Sequence, residues 1–241
     1  MSRFVRIFKT SVGCKAVMAV TGLLLVLFVI QHCIANLQIY QGQEAMNSYA
    51  AFLKGLGPAL WVARGGLLAI FLLHIYAGFR LNRMNMAARK DRYQYNAFVQ
   101  EDPLAQARVR AATFMFLTGL LVLLFVVYHL LHLTFGVINP DAFEDAHAVE
   151  GAPPDVYSMF IKGFQNPMIS IIYMLLMLAL GAHLLHGFSS AFQSLGLNHP
   201  TFNKLVRYGC PAVVIVIVLL NMMMPFTIWI LRFPSLPTGG G

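Results

Sequence analysis

Thr21-Gly-Leu-Leu-Leu-Val-Leu-Phe-Val-Ile-Gln-His32 and Thr118-Gly-Leu-Leu-Val-Leu-Leu-Phe-Val-Val-Tyr-His129 are one segment written twice, with eight of twelve positions identical. Each opens on Thr-Gly, runs through apolar residues and closes on a histidine ten residues past the glycine. A second, shorter pattern also recurs: His74-Ile-Tyr-Ala-Gly78-Phe79 and His183-Leu-Leu-His-Gly187-Phe188 share His-x-x-x-Gly-Phe. Self-similarity of this kind marks duplicated structural units.

The repeated segments lie inside long apolar stretches. Five of these can cross about 30 Å of hydrocarbon at 1.5 Å per residue: Cys14 to Leu37, Leu60 to Leu81, Ala111 to Val137, Pro167 to Phe192 and Tyr208 to Leu231. With 241 residues, 59% of them hydrophobic and 11% charged, the chain lacks the polar surface that a soluble domain needs. The expected architecture is all-α, a single polytopic membrane bundle of five transmembrane helices over residues 1–241. The first stretch is too long for a signal-peptide core and ends in Gln31-His32-Cys33-Ile34-Ala35-Asn36, without a small-residue cleavage site, so it is expected to stay as a helix.

A net charge of +8 can signal nucleic-acid binding, but here the basic residues flank helix ends. With the N-terminus cytoplasmic, that side collects Arg3, Arg6, Lys9, Lys15, the seven basic residues from Arg80 to Arg110, Lys204 and Arg207. These are thirteen of seventeen, which sets the orientation by the positive-inside rule. The opposite side has Lys54, Arg64, Lys162 and Arg232 and the acidic residues Asp141, Glu144, Asp145, Glu150 and Asp155. The connector from Asn82 to Arg110, basic and carrying Tyr93, Tyr95 and Phe98, is a candidate dock for a soluble partner. Cys14, Cys33 and Cys210 sit at no metal-ligand spacing, and no CxxCH occurs to attach haem covalently.

Ionisable side chains in membrane helices are costly and need a partner or a cofactor. His32 and His129, on helices running the same way, share one depth towards the outer face. His74 and His183 share a second depth towards the cytoplasm. At 1.5 Å per residue the two layers differ by roughly 13 Å. Two facing imidazoles fill both axial positions of a haem iron. Zinc and copper sites usually recruit thiolate or carboxylate, and these helices have no acidic residue. The reading is therefore two bis-histidine haems b, with His32 and His129 on the outer iron and His74 and His183 on the cytoplasm-side iron. His132 and His186 each follow a ligand by three residues, and their repeat counterparts are Ala35 and Ala77, so a supporting or alternate role is assigned to them. Arg80, Arg83 and Arg110 are candidates to meet haem propionates. Gly22, Gly78, Gly119, Gly181 and Gly187 thin the helices for a close neighbour or a macrocycle. The fifth helix, with Pro211, Asn221, three consecutive methionines and Pro225, has no histidine and is read as a wall of the bundle.

The residues Gln31-His32 with Asn36, Gly42-Gln-Glu44-Ala45-x-Asn47, His74 with Gly78, Gly119 with His129, and His183 with Gly187 and Gly196 resemble the cytochrome b membrane anchor of succinate dehydrogenase and fumarate reductase, the succinate:quinone oxidoreductases. The likeness is to the single-subunit, five-helix, two-haem form and covers nearly the whole chain. It implies the same ligand sets, His74 with His183 and His32 with His129. It also implies a flavoprotein subunit with FAD and an iron–sulfur subunit docked on the cytoplasmic face of a bacterial inner membrane, in a complex open to higher oligomers. This chain alone would then not act on dicarboxylates. A membrane quinone, menaquinone by expectation, is implied near the outer haem, with Asn36, Gln38, Glu44 and Arg64 as candidate contacts. In some menaquinol-oxidising fumarate reductases a glutamate lies two residues before the fourth-helix ligand; here that position is Gly181, which leans towards succinate oxidation. The alternatives are the haem b anchor of a membrane hydrogenase or formate dehydrogenase and, in a different class, a haem-free anchor or transporter.

Overall fold

A computed structural model describes residues 10–88, 114–148, 154–197 and 203–236. The connector at 89–113, with Arg110 and the aromatic residues assigned to partner docking, lies outside the described residues, as does His199. In chain order the described elements are α1 (Ser11–Asn36) with a 3-10 turn (Leu37–Gln41), α2 (Gln43–Gly55), α3 (Pro58–Ala88), α4 (Met115–Leu133), α5 (Pro140–Ala146), α6 (Val156–Gln165), α7 (Pro167–Ser194) and α8 (Cys210–Phe226). Five-residue π-helical turns, Leu205–Gly209 and Thr227–Leu231, flank α8. No strand occurs among the described residues.

Among the described residues five helical segments are long and apolar enough to cross a membrane: Ser11–Gln41, Pro58–Ala88, Met115–Leu133, Pro167–Ser194 and Leu205–Leu231. Hydrocarbon offers the backbone no partner, so only a fully hydrogen-bonded helix suits such runs. Their exposed apolar side chains recur every three or four residues, as in Val20, Leu24 and Leu27 of α1 and Ile171, Leu175 and Leu178 of α7. That is one helix face turned outward and apolar, the reverse of a soluble protein's surface.

The helix ends differ from the apolar runs for local reasons. α3 continues past Leu81 to Ala88, because Asn82-Arg-Met-Asn-Met-Ala-Ala is polar but contains no helix breaker. α4 stops at Leu133, four residues short of the apolar run, as the chain turns through Gly136 at φ +67. α7 begins on Pro167 with the Asn166 side chain accepting from the amides of Met168 and Ile169, at 3.0 and 3.4 Å. It ends in a Schellman turn: Gly196 takes φ +80 while Leu197 N–H donates to Phe192 O and Gly196 N–H to Gln193 O.

The chain divides into two compact units. One comprises Met1–Phe28, Arg64–Leu120 and Gly181–Ile215; the other comprises Val29–Ala63, Leu121–Leu180 and Val216–Gly241. Among the described residues, the connectors of the second unit contain the helices α2, α5 and α6. α6 is its core: Tyr157, Phe160, Ile161 and Phe164, spaced three, four and seven residues apart, are all buried. α6 packs against α2, α5 and the turn Thr227–Leu231.

Asp155 ties this region together. It caps α6 by accepting from Ser158 N–H at 3.1 Å, and it accepts from the Gln43 and Asn47 side chains of α2, both at 2.8 Å. Gln43 and Asn47 are four residues apart and share one face of α2. Asn47 also accepts from Tyr157 N–H at 3.0 Å. Partial burial raises the Asp155 pKa, but the hydrogen bonds from Ser158, Asn47 and Gln43 outweigh it and hold the carboxyl below the usual aspartate value. By contrast the Lys162–Asp145 ion pair, 2.7 Å apart, is exposed on both sides and contributes little.

Two outcomes are expected. At Gly136 a Cβ would overlap the Phe143 ring and the backbone is left-handed. Gly136→Ala should therefore cost about 2 kcal/mol or more, read as a lower melting temperature in detergent. A carboxyl held low stabilises the fold above the ordinary aspartate value of about 4 and loses that contribution as pH falls towards its own lower value. Wild-type protein should lose melting temperature below about pH 4, whereas Asp155→Ala should start lower, by about 1 kcal/mol for the lost cap, and show less change across that window.

Candidate functional site

In the first unit α1 meets α3, and α4 meets α7, through one contact made twice. The Thr21 hydroxyl lies 3.0 Å from His74 Nδ1, and the Thr118 hydroxyl 3.3 Å from His183 Nδ1. Each imidazole lies over the glycine beside its threonine: a Cβ on Gly22 would be 3.2 Å from His74 Cε1, and one on Gly119 3.2 Å from His183 Cε1. The contact is reciprocal. Three residues before each threonine is a methionine whose Cε faces the glycine four residues past the histidine. A Cβ on Gly78 would meet Met18 at 3.2 Å, and one on Gly187 would meet Met115 at 3.8 Å. The repeat is thus Met-x-x-Thr-Gly on one helix locked to His-x-x-x-Gly on its neighbour.

This interlock decides a protonation question. The Thr21 hydroxyl donates its single proton to the Val17 or Met18 carbonyl, at 2.7 and 3.2 Å, and Thr118 donates to Met115 O at 3.1 Å. Each hydroxyl then accepts from its histidine, so Nδ1 carries the proton and Nε2 keeps its lone pair. The ring centroids of His74 and His183 are 6.4 Å apart with planes 73° to each other.

The second unit holds the other pair. His32 and His129 have centroids 5.7 Å apart and planes at 82°. Tyr173 of α7 places its hydroxyl 3.3 Å from His129 Nδ1 and 2.9 Å from His132 Nδ1. His132 is buried and fits under Gly163 of α6, where a Cβ would come within 2.9 Å of its Nε2. Phe125, Tyr128 and Phe164 pack around the Tyr173 ring.

Both pairs fit haem ligation. Two metal–nitrogen bonds of about 2 Å, each leading to a ring centroid about 1 Å further on, set coaxial imidazole centroids about 6 Å apart. Edge-to-face ring packing spans similar distances. His74, His183 and His129 each have Nδ1 at a hydroxyl, which leaves Nε2 for whatever the rings share. Among the described residues no three His, Cys, Asp or Glu side chains gather as a zinc or copper site requires.

The remaining candidates are placed as follows. His186 and the half-buried Arg80 belong to the first unit, with Arg83 exposed on α3. Asn36 lies one turn past His32 at the end of α1, Gln38 is in the 3-10 turn, and Glu44 is exposed in the first turn of α2; all three share the second unit with the His32–His129 pair. Arg64 belongs to the first unit and is exposed on α3. Sequence reasoning missed Tyr173, which has no repeat partner, and the methionines, which lie just before the repeat that was read. No protein family, curated protein or solved structure matches the chain.

Proposed function

We propose that this chain is a dihaem cytochrome b anchor that passes electrons between an iron–sulfur partner and a membrane quinone, in a complex of the succinate:quinone oxidoreductase kind. The observation that carries the haem reading is the duplicated interlock of Met18-x-x-Thr21-Gly22 with His74-x-x-x-Gly78 and of Met115-x-x-Thr118-Gly119 with His183-x-x-x-Gly187. A fold has little reason to bring two membrane-embedded imidazoles side by side, each with Nδ1 at a threonine hydroxyl, except to present two Nε2 lone pairs.

In this reading His74 and His183 hold one haem b, and His32 and His129 hold the other. The chemistry such a group would supply when bound is one-electron transfer between the ferric and ferrous states of its iron. Thr21 and Thr118 fix the imidazoles, Gly22 and Gly119 let them approach, and the surrounding apolar side chains exclude water. Arg80 and Arg83 are proposed propionate partners.

The partners rest on the sequence resemblance: a flavoprotein with FAD and an iron–sulfur protein at the cytoplasmic face of a bacterial membrane. The quinone, menaquinone in this proposal, is assigned to the His32–His129 side, where Asn36 shares a helix face with His32. Several residues of the resemblance have structural work instead. Gly42 supplies a φ of +102 before α2, Asn47 binds Asp155, Gln31 donates to the Tyr49 hydroxyl at 2.8 Å, and Gly196 ends α7. The likeness therefore supports a shared way of building the bundle more directly than it supports a quinone contact.

The test is a reduced-minus-oxidised spectrum with pyridine haemochrome quantitation on the purified protein. Two haems b per chain are expected, with one lost in each of His32→Ala, His74→Ala, His129→Ala and His183→Ala; a colourless protein would return the chain to the transporter or haem-free class. Co-purification of a flavoprotein with an iron–sulfur protein, rather than a hydrogenase or formate dehydrogenase subunit, decides the complex. Thr21→Val should weaken retention of the His74–His183 haem about tenfold and leave the other in place, measured by loss to a haem scavenger.

A further inference from the structure

The His32–His129 pair has a feature the other pair lacks. Tyr173 and His132 are buried, 6% and 2% exposed, and their polar atoms form a chain with His129: Nδ1 of His129, the tyrosine hydroxyl, then Nδ1 of His132, at 3.3 and 2.9 Å. Neither residue is duplicated, since the repeat puts Ala35 opposite His132 and Arg64 opposite Tyr173.

A hydroxyl has one proton to give and lone pairs to receive with, and a buried proton left unmatched is costly, so two directions use the tyrosine proton within this chain. If His132 Nδ1–H donates to Tyr173 and Tyr173 donates to His129, then His129 carries its proton on Nε2 and cannot be a ligand. If His129 Nδ1–H donates to Tyr173 and Tyr173 donates to His132, then His129 Nε2 is a free lone pair. Ligation by His129 thus fixes the tautomers of both histidines at once. The tyrosine ring has little freedom to turn away, since Phe164 meets it edge-on at 4.8 Å and Phe125 at 5.4 Å. His132 is held in turn by α6, which comes this close only because residue 163 is glycine.

The geometry points to Tyr173 as the positioning residue of His129, with His132 as its proton acceptor, so that these two side chains set the electron-donating strength of this ligand alone; the inference rests on the haem reading above. A ligand imidazole whose N–H is accepted by a neighbour is more basic, which favours the oxidised metal. Removing the acceptor should raise the midpoint potential of that haem. At the His74–His183 pair the hydroxyls belong to threonines anchored to their own helix backbone rather than to a tyrosine linked to a further histidine.

The experiment is a potentiometric titration of the haem-loaded protein with Tyr173→Phe, the relevant haem being the one lost in His129→Ala. The expected result is an upward shift equivalent to about a tenfold change in ferric-over-ferrous preference, about 59 mV for one electron, with the other haem unmoved. His132→Leu should shift the same haem in the same direction, and the double variant should shift it no further than Tyr173→Phe alone. If Tyr173→Phe does not retain that haem, the His132→Leu shift carries the test, and an unshifted potential there overturns the inference. Wild-type protein with two haems whose potentials stay put in these variants, or move together, overturns the inference and leaves the haem reading standing. Wild-type protein without haem overturns both.

Discussion

An imidazole inside an apolar helix bundle has two nitrogens and no water to satisfy them, and an unmet polar atom there costs on the order of 1–3 kcal/mol. The threonine contacts answer that constraint economically. A threonine in a helix ordinarily spends its hydroxyl proton on a carbonyl of the preceding turn, as Thr21 and Thr118 do, which leaves its lone pairs available. The neighbouring histidine takes them. Because the contact needs the two helix surfaces to come close, the residue beside each threonine is glycine, and because the histidine helix also yields a glycine to a methionine, the two helices are held at two points. Side-chain chemistry and helix packing are here one arrangement.

Duplication carried that arrangement into both halves of the first unit with little change, and the second unit is where the halves diverge. There His129 is served by Tyr173, Tyr173 by His132, and His132 by the glycine of a short helix with no counterpart in the repeat. The same short helix is capped by Asp155, which also gathers Gln43 and Asn47 from α2. The asymmetry between the two histidine pairs is therefore built from two unduplicated residues of the long helices, His132 and Tyr173, backed by Gly163 of the short helix α6. Two otherwise similar histidine pairs are given different surroundings in this way.

The proposed electron-transfer role and the proposed partners stand on different grounds. The pairing of imidazoles, their tautomers and their separations support a bis-histidine cofactor through the chemistry of the donor atoms. The choice of succinate, quinone and soluble subunits comes from motif residues, and several of these, Gly42, Gln43, Asn47 and Gly196, turn out to shape turns, end a helix or join α2 to α6. Such residues identify how a bundle is constructed, and construction is shared more widely than activity.

The sequence by itself determined the helical class, the five apolar spans and the matching of His32 with His129 and of His74 with His183, because apolar length and an exact internal repeat are both one-dimensional signals. It exposed Thr-Gly as a marker without exposing its purpose, since the histidine each threonine holds is on another helix, 53 and 65 residues away. Only the tertiary structure decided that the glycines seat imidazole and methionine, that the connectors around Asp155 are folded, and that Tyr173 links His129 to His132. Those contacts join positions 41 to 112 residues apart with no period to announce them. They exist only once helix rotation and approach are set by packing.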